Sequence, residues 1–590
     1  MSQVLPRLPL FVSNFETLRQ NAAVYVDKTM YFPDLVNKSS ITFCARPLRF
    51  GKSLTVSSLD AFFSGKVELF NGLAAEKYMR SPDFVSRPVV RLDMSAAANC
   101  ENLRNLKKDI MDSLEQIANV YNISLRGSDY AKSFYFLLFD IRENTGLKPV
   151  LLIDEYDAPV ISLAANEDER YNTKFLNRVR KVMSKFYEQI KIAEYDILHF
   201  VFITGITKYS RMGVFSSLNN LIDITLDPEF SALMGYTQEE LEKYFAPFLS
   251  LTALKFGMSE DNLLDKMKDY YNGFSFDGKQ LLYNPFSVLN FFDTKKFSNF
   301  WMESGSERYV RKFLSDKAIT TEQYQDFGVN SSFARAPGDI ETTEPHGFLY
   351  QAGYLTLREG SNFDYNLRYP NVEVRESIAK LFLKNIISQK ISIDSAANEL
   401  SLCMASCDIP GMVDIFYRLF AGICHKDHRD VSRSPVVRVI KKFIRKLTGS
   451  GSLGVSVQTE SEDLVETLEK SRGEGFYRSL LQACLWMAGA KVTPEKPENI
   501  GDLDLEACCG RLTYVFELKM AENAGGAAVA VRNGMKQIHG RGYGLASKDP
   551  IFVSLAFGKA EKNIVGCIFE KDGKETTVEI KIKTGRGAGG

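Results

Sequence analysis

The sequence lacks an excess of charge of either sign. Among its 590 residues, 73 Lys and Arg stand against 73 Asp and Glu, so the formal net charge is zero. That excludes a histone-like or tail-like protein holding polyanions by bulk charge; any contact with nucleic acid has to be local. A disulfide framework is missing as well. The nine cysteines are scattered from Cys44 to Cys567, with one adjacent pair at Cys508 and Cys509, which points to a reducing compartment rather than a secreted scaffold. No run approaches the roughly 18 consecutive apolar residues that cross a bilayer. The N-terminus has Pro6 and Pro9 and no positively charged lead into an apolar stretch, unlike a signal peptide. Internal repeats at solenoid periods are absent too. These absences predict a soluble, intracellular protein of cytoplasm or nucleus, with no membrane partner.

What is there suits packed cores. Hydrophobic residues make up 45% of the chain and charged ones 25%, an ordinary globular composition. At roughly 150 residues per domain, the length predicts two to four domains. Up to about residue 230, short β-branched runs alternate with amphipathic stretches, the pattern of βαβ units and a parallel sheet. The clearest buried strands are Ile41 to Cys44, Val89 to Leu92, Val150 to Ile153 and Phe200 to Ile203. Beyond them Thr237-Gln-Glu-Glu240 opens an apolar-periodic run as a helix start would. A mixed aromatic region extends to about 375. Residues 376–447 read as mostly helical, and Thr448 to Gly454 has the Gly/Ser composition of a linker. From about 465 to 570 the pattern is a helix and three short strands, with a second helix between the last two.

The first strand, Ile41-Thr-Phe-Cys44, runs through Ala-Arg-Pro-Leu-Arg-Phe into Gly51-Lys52-Ser53 and a helix. In a P-loop the Gly lets the backbone approach phosphate, the Lys neutralises the β- and γ-phosphates, and the Ser hydroxyl ligates Mg²⁺ at a helix N-terminus. The first Gly of GxxxxGK[ST] is absent and Arg46 stands in its place. Alone, GKS also reads as a basic turn capped by Ser53. A second motif lifts it: Val150-Leu-Leu-Ile-Asp-Glu155 has the Walker B form, in which Asp154 reaches the metal shell and Glu155 polarises the attacking water. Phe200-Val-Phe-Ile-Thr-Gly205 offers Thr204 as a γ-phosphate sensor. Lys208 and Arg211 beyond it read as charge-stabilising fingers or solvated loop cations. Asp157 reads as a helix cap in preference to a further catalytic carboxylate.

Near the C-terminus stand Gly501-Asp-Leu-Asp-Leu-Glu506 and Tyr514-Val-Phe-Glu-Leu-Lys-Met520. Strand side chains alternate, so Glu517 and Lys519 share one face, as do Asp502 and Asp504. Pairing of the two strands through a turn near Cys509-Gly510 would bring an Asp beside Glu517. Two carboxylates could then hold Mg²⁺ while the Lys orients or deprotonates water. The same D…ExK spacing also occurs as charged strand edges.

Several strings together resemble the AAA-ATPase-like family that is typically fused to a C-terminal PD-(D/E)XK nuclease domain. They are Tyr25-Val-Asp-Lys-Thr29, RPLRFGKS, LLIDEYDAPV, FITGITKYSRMGVFSSLNNL, YNGFSF and PNVEVRESI. The resemblance covers most of the chain. Members commonly carry two adjacent arginines before FGKS; here Leu48 replaces one, and Arg46 in the place of the P-loop Gly is a family trait. Asp27 and Lys28 match a family motif to which nucleotide contact is one assignable role. The family's Gly-x-x-Asp implies Asp504 as the nuclease metal ligand, although Asp502 stands where Arg is usual. Glu474 adds a metal contact from the preceding helix or is a solvated first-turn acid. Gln537, with Tyr543, matches a trailing feature that positions substrate.

The expected fold is multidomain α/β. It comprises a P-loop AAA-like ATPase domain at 1–235 (parallel sheet, helices on both faces), a helical and mixed lid at 236–375, and a helical connector at 376–460. A PD-(D/E)XK restriction-endonuclease-like α/β domain at 461–575 and a flexible tail at 576–590 complete it. The expected nucleotide site is Arg46, Arg49, Gly51, Lys52, Ser53, Asp154, Thr204 and Arg211 with catalytic Glu155, binding ATP and Mg²⁺. The expected nuclease site is Asp504, Glu517 and Lys519 with Glu474, using Mg²⁺ or Mn²⁺. Arg433 to Lys446 has an apolar face (Val437, Ile440, Phe443, Ile444) and an all-positive one, so Arg438, Lys441, Lys442 and Arg445 are candidate nucleic-acid contacts. A zinc set of Cys403, Cys407, Cys424, His425 and His428 is the weaker reading of a helical apolar stretch. The predicted function is an ATPase coupled to a Mg²⁺-dependent nuclease, DNA favoured over RNA by family analogy, with possible homo-oligomerisation. The competing function is a nucleotide-switched nucleic-acid-binding or signalling protein whose nuclease-like domain is inactive.

Overall fold

The computed structural model describes residues 5–98, 101–164, 173–207, 218, 220–301, 327–330, 345–360, 364–387, 391–423, 474–494, 497–498, 501–502, 504–541 and 549–580. The chain forms two compact units, Met1–Phe313 with Tyr324–Val374, and Leu314–Gln323 with Arg375–Gly590.

In the first unit the apolar runs become strands, buried along their whole length where both faces are covered and alternating in the edge strand Val89–Asp93, which buries Val90 and Leu92. The strands are β1 (Ile41–Ala45), β2 (Val89–Asp93), β3 (Val150–Asp154) and β4 (Phe200–Gly205), joined by the two-residue β5 (Ile222–Asp223). All pairings are parallel in the order β2-β3-β4-β1-β5, so β4 separates the loop-bearing β1 from the acid-bearing β3. Alternation sorts the side chains. Leu151, Ile153, Val201 and Ile203 pack with α2 (Leu103–Val120), α3 (Tyr130–Thr145) and α4 (Thr173–Ala193). Val150, Leu152, Phe200 and Phe202 pack on the other side with α1 (Lys52–Phe63). Each strand thereby delivers its C-terminal end, and whatever polar residue follows, to one edge of the sheet.

Past the sheet, Thr237 and Glu240 form a reciprocal capping box that starts α5 (Gln238–Phe256). With α6 (Glu260–Tyr271) and α7 (Pro285–Thr294) it buries a Phe/Tyr-rich core that takes in Val24 and Val26. A small antiparallel sheet, β6 (Phe327–Val329), β7 (Thr356–Glu359) and β8 (Tyr365–Arg368), stands where the sequence showed only a mixed region. The boundary between units falls within α8 (Val372–Ile386).

The second unit contains α9 (Ile393–Ser406), α10 (Ile409–Ala421) and α11 (Glu474–Met487). Its strands are β9 (Lys491–Pro494), β10 (Leu505–Cys509) and β11 (Leu512–Ala521), followed by α12 (Ala527–Arg541), β12 (Pro550–Gly558), β13 (Asn563–Lys571) and β14 (Lys574–Val578). The sheet runs β14-β13-β12-β11-β10-β9, antiparallel except for β11 and β12, which are parallel and joined through α12. This differs from the domain expectation in two ways. Helices α9 and α10, assigned to a connector, join the sheet's compact unit: Phe420 meets Phe557, the Tyr514 hydroxyl donates to Met404 O at 2.5 Å, and Asn563 Nδ2 donates to Tyr417 O at 3.1 Å. Strand β14 also takes in residues 576–578, assigned to the tail, by pairing with β13. The linker at 448–454 and the final GRGAGG lie outside the described residues. Among the described residues, no helix is long and apolar enough to cross a membrane.

Candidate functional site

The loop after β1 turns through Arg49 at φ 63° and Gly51 at φ 95° before α1 begins. A β-carbon at Gly51 would meet nothing within 4 Å, so the requirement for Gly is conformational, not spatial. Lys52 is 4% exposed, and its Nζ donates to Arg46 O (3.2 Å) and Pro47 O (3.0 Å). Burial pushes its pKa down; the carboxylates of Glu155, Asp154 and Asp157 push it back up. The ammonium is thus held by loop carbonyls at the place where phosphate oxygens would compete for it.

Across the sheet edge, Asp154 is 1% exposed. Burial raises its pKa, and a hydrogen bond from Ser53 and the charge of Lys52 counter that. Its Oδ1 is buried without a hydrogen-bond partner. An orphaned carboxylate oxygen beside the GKS serine is the donor set a Mg²⁺ ion takes, so these residues fit the metal. Glu155 adopts φ 49°, a backbone conformation that non-glycine residues seldom hold without cause. Burial raises its pKa as well, with Lys52 opposing.

Three expected nucleotide contacts are placed less simply. The Arg46 guanidinium is 1% exposed and turned inward, donating to Ala45 O (2.9 Å), Thr225 O (2.8 Å) and Phe230 O (3.1 Å) and stacking over Phe276 at 3.9 Å. It shapes the loop from behind, where a P-loop glycine would leave space. Arg46→Met is accordingly expected to cost about 3 kcal/mol of stability, because three buried carbonyls lose their donor. Urea unfolding measures this, and a loss below about 1 kcal/mol would contradict the clamp. Thr204 is fully buried and its hydroxyl donates to Cys44 O at 2.8 Å, tying β4 to β1. Arg49 lines the loop's cavity, but one nitrogen donates to Phe300 O (2.9 Å) and its guanidinium lies 3.8 Å from the Phe286 ring centre. Lys208 and Arg211 lie outside the described residues.

Asp157 acts across the sheet edge, beyond any capping role. Its Oδ2 accepts from Ile206 N (3.1 Å), Thr207 N (2.7 Å) and Thr207 Oγ1 (2.8 Å), pinning the chain as it leaves β4. A β-carbon at Gly205 would come within 2.5 Å of Asp157 Oδ1, so the close approach demands glycine. The YVDKT string is explained in part. Asp27 accepts from Thr29 and from Ala74 N, while Lys28 forms a 2.6 Å ion pair with Glu240, the capping acid of α5. YNGFSF and PNVEVRESI interlock: Asn371 Nδ2 donates to Asn272 O at 2.8 Å. Phe50 of the loop packs edge-on against Phe274 and Phe276. Trp301 Nε1 donates to Leu48 O at 3.3 Å, and Trp301 N donates to Glu373 Oε1 at 2.8 Å. The loop is therefore wired to the start of α8.

In the second unit, the β10–β11 hairpin turns at Gly510 (φ 60°) and pairs Leu505 with Phe516. Continuing that register by one residue sets Asp504 opposite Glu517. Asp504 Oδ2 accepts from Leu518 N at 2.7 Å, and Lys519 Nζ donates to Glu517 Oε1 at 2.7 Å. Asp504 is 6% and Glu517 1% exposed. Burial raises the Asp504 pKa, while the Leu518 N–H, Lys519 and Arg478 lower it. Two adjoining buried carboxylates with a lysine alongside suit a divalent cation. Arg478 of α11, 3.6 Å from Asp504 Oδ1, was missed in the sequence; its signal was only a cation one turn into the helix that begins at Glu474. At Gly534 a β-carbon would collide with the Ser554 hydroxyl and sit 3.5 Å from Glu517 Cγ, so α12 lies close against this strand. Gln537 follows one turn later, half-buried. The side chains of Glu474 and Asp502, Tyr543, the basic stretch with Arg438, Lys441, Lys442 and Arg445, and three of the five zinc candidates lie outside the described residues. Elsewhere His539, Glu570 and Glu575 gather on the surface, His539 Nε2 lying 2.9 Å from Glu570.

A five-stranded parallel sheet with a GKS loop after one strand and an acid pair after another defines the first unit as P-loop NTPase-like. Residues 9–215 match the family model described as "Predicted AAA-ATPase", so the chain carries an AAA-ATPase-like domain. The chain is also similar to the "Uncharacterized protein in vnfD 5'region" of Azotobacter chroococcum mcd 1. The two are 26% identical over 579 residues, spanning 96% of this chain and 99% of that protein.

Proposed function

We propose that this protein is an ATPase coupled to a metal-dependent nuclease, in which nucleotide at the first unit regulates phosphodiester cleavage, preferably of DNA, by the second. The observation that carries the nuclease reading is the hairpin register that sets Asp504 against Glu517 with Lys519 on the same face. Mg²⁺, or Mn²⁺ in its place, would neutralise charge on the phosphate at Asp504 and Glu517. Lys519 then orients the attacking water or takes its proton, and Gln537 on the neighbouring helix contacts substrate. In the first unit Lys52 binds the phosphates, Ser53 and Asp154 hold the metal, and Glu155 polarises water. The coupling is supported by the chain of contacts from Leu48 through Trp301 to Glu373, because α8 continues from there into residues of the second unit.

The test is incubation of supercoiled plasmid with the full-length protein and Mg²⁺, with and without ATP. Cleavage that needs the metal and changes at least severalfold with ATP is expected. One observation favours the competing reading of a nucleotide-switched nucleic-acid clamp: Arg478 already supplies Asp504 with a cation. Metal-independent DNA retention without cleavage would establish that reading instead.

A further inference from the structure

The cavity that contains Gly51, Lys52 and Ser53 reaches well beyond them, to a volume of about 420 Å³. That size accommodates a whole nucleotide rather than phosphates alone. Its charged lining residues are Lys28, Arg49, Lys52 and Glu155; with Lys28 paired to Glu240, two cations stand against one carboxylate, which still favours an anion at the loop. Apolar side chains complete the lining, among them Val24, Met234, Leu289 and Phe286, the last of which the Arg49 guanidinium overlies. At the rim stands Phe11, 81% exposed and held at φ 57°. Its ring meets Phe286 edge-on, with centroids 5.7 Å apart. An exposed aromatic alone needs no explanation. An exposed aromatic on an unfavourable backbone, in the wall of a ligand cavity, has the form of a clamp awaiting a flat partner.

We propose that Phe11 is the aromatic lip of a nucleobase seat: the base of a nucleotide whose phosphates lie on Lys52 stacks against Phe11 and covers the cavity's apolar lining. The proposal rests on the P-loop reading of the same cavity and extends it to the base. A nucleoside triphosphate joins an aromatic plane to a polyanion and so suits both kinds of lining, whereas an acyl chain or apolar peptide would bring no anion to Lys52 and Arg49.

Calorimetric titration of the full-length protein with Mg²⁺ and either ATP or inorganic tripolyphosphate separates the two readings. Phe11→Ala is expected to weaken ATP roughly tenfold, the usual worth of one stacked base, and to leave tripolyphosphate unchanged. Phe11→Trp is expected to retain ATP affinity. Equal ATP affinity in wild type and Phe11→Ala overturns the seat, as does an equal loss of both ligands. Wild-type protein that binds tripolyphosphate as tightly as ATP overturns the seat while sparing the P-loop reading. Protein that binds neither overturns both.

Discussion

Lys519→Ala is expected to lower Mg²⁺-dependent plasmid cleavage roughly a thousandfold, within the range of a lost proton-transfer group, while phosphate release from ATP stays at the wild-type rate. The side chain is 22% exposed and its Nζ lies 2.7 Å from Glu517 Oε1. Because that side chain is mostly buried against a carboxylate that is 1% exposed, a large effect reports chemistry rather than folding only if the urea midpoint is also unchanged. The pair admits a lesser role for the lysine, namely holding the Glu517 carboxylate in place. Lys519→Arg distinguishes them, because a guanidinium keeps the charge and the hydrogen bond but stays protonated in proteins and cannot act as a base. Cleavage restored by Arg assigns Lys519 to positioning; cleavage lost with both substitutions assigns it to water activation. Plasmid cleavage by Lys519→Ala equal to wild type would remove the nuclease assignment altogether.

The parts of the molecule that were legible in the sequence are those in which local pattern and global position coincide. Parallel strands covered on both faces must be continuously apolar, so the runs from Ile41, Val150 and Phe200 mark the sheet, Val90 and Leu92 mark its half-covered edge strand, and the residues that end each run are delivered to one edge. Thr237 and Glu240 sit three apart because a capping box is a local device. Asp504 could be paired with Glu517 because a tight hairpin at Gly510 fixes register over a few residues. What stayed hidden depends on partners far along the chain. Arg46 turns inward because the carbonyls of Thr225 and Phe230 wait there, nearly two hundred residues later, and nothing in RPLRFGKS encodes that direction. Lys28 meets Glu240 and Asp157 meets Thr207 for the same reason. The small sheet of β6, β7 and β8 was missed because its strands are three or four residues long, too short for alternation to speak.

Glu155→Gln should leave ATP binding close to wild type and slow phosphate release by about a hundredfold or more, the scale of a lost water-activating group. The amide keeps the size of the carboxylate, and the residue lies between Asp154 and the pinned turn at Asp157, so the φ 49° conformation has no reason to relax. What changes is charge and basicity. The wild-type carboxylate sits where burial raises its pKa and Lys52 opposes the rise, a balance that keeps a basic oxygen near the Lys52 nitrogen. Losing one of the carboxylates that hold the Lys52 ammonium charged would lower that nitrogen's pKa further, an effect opposite in sign to tighter phosphate binding. Glu155→Gln also removes a carboxylate that lines the cavity and repels the phosphates, so ATP affinity at or above wild type agrees with blocked turnover or with that lost repulsion, and phosphate release is the reading that decides. If phosphate release is the same in both proteins, this unit binds nucleotide without hydrolysing it. Plasmid cleavage should then respond identically to ATP and to a non-hydrolysable analogue, because the contacts from the loop through Trp301 to Glu373 can register occupancy but have no hydrolytic cycle to follow.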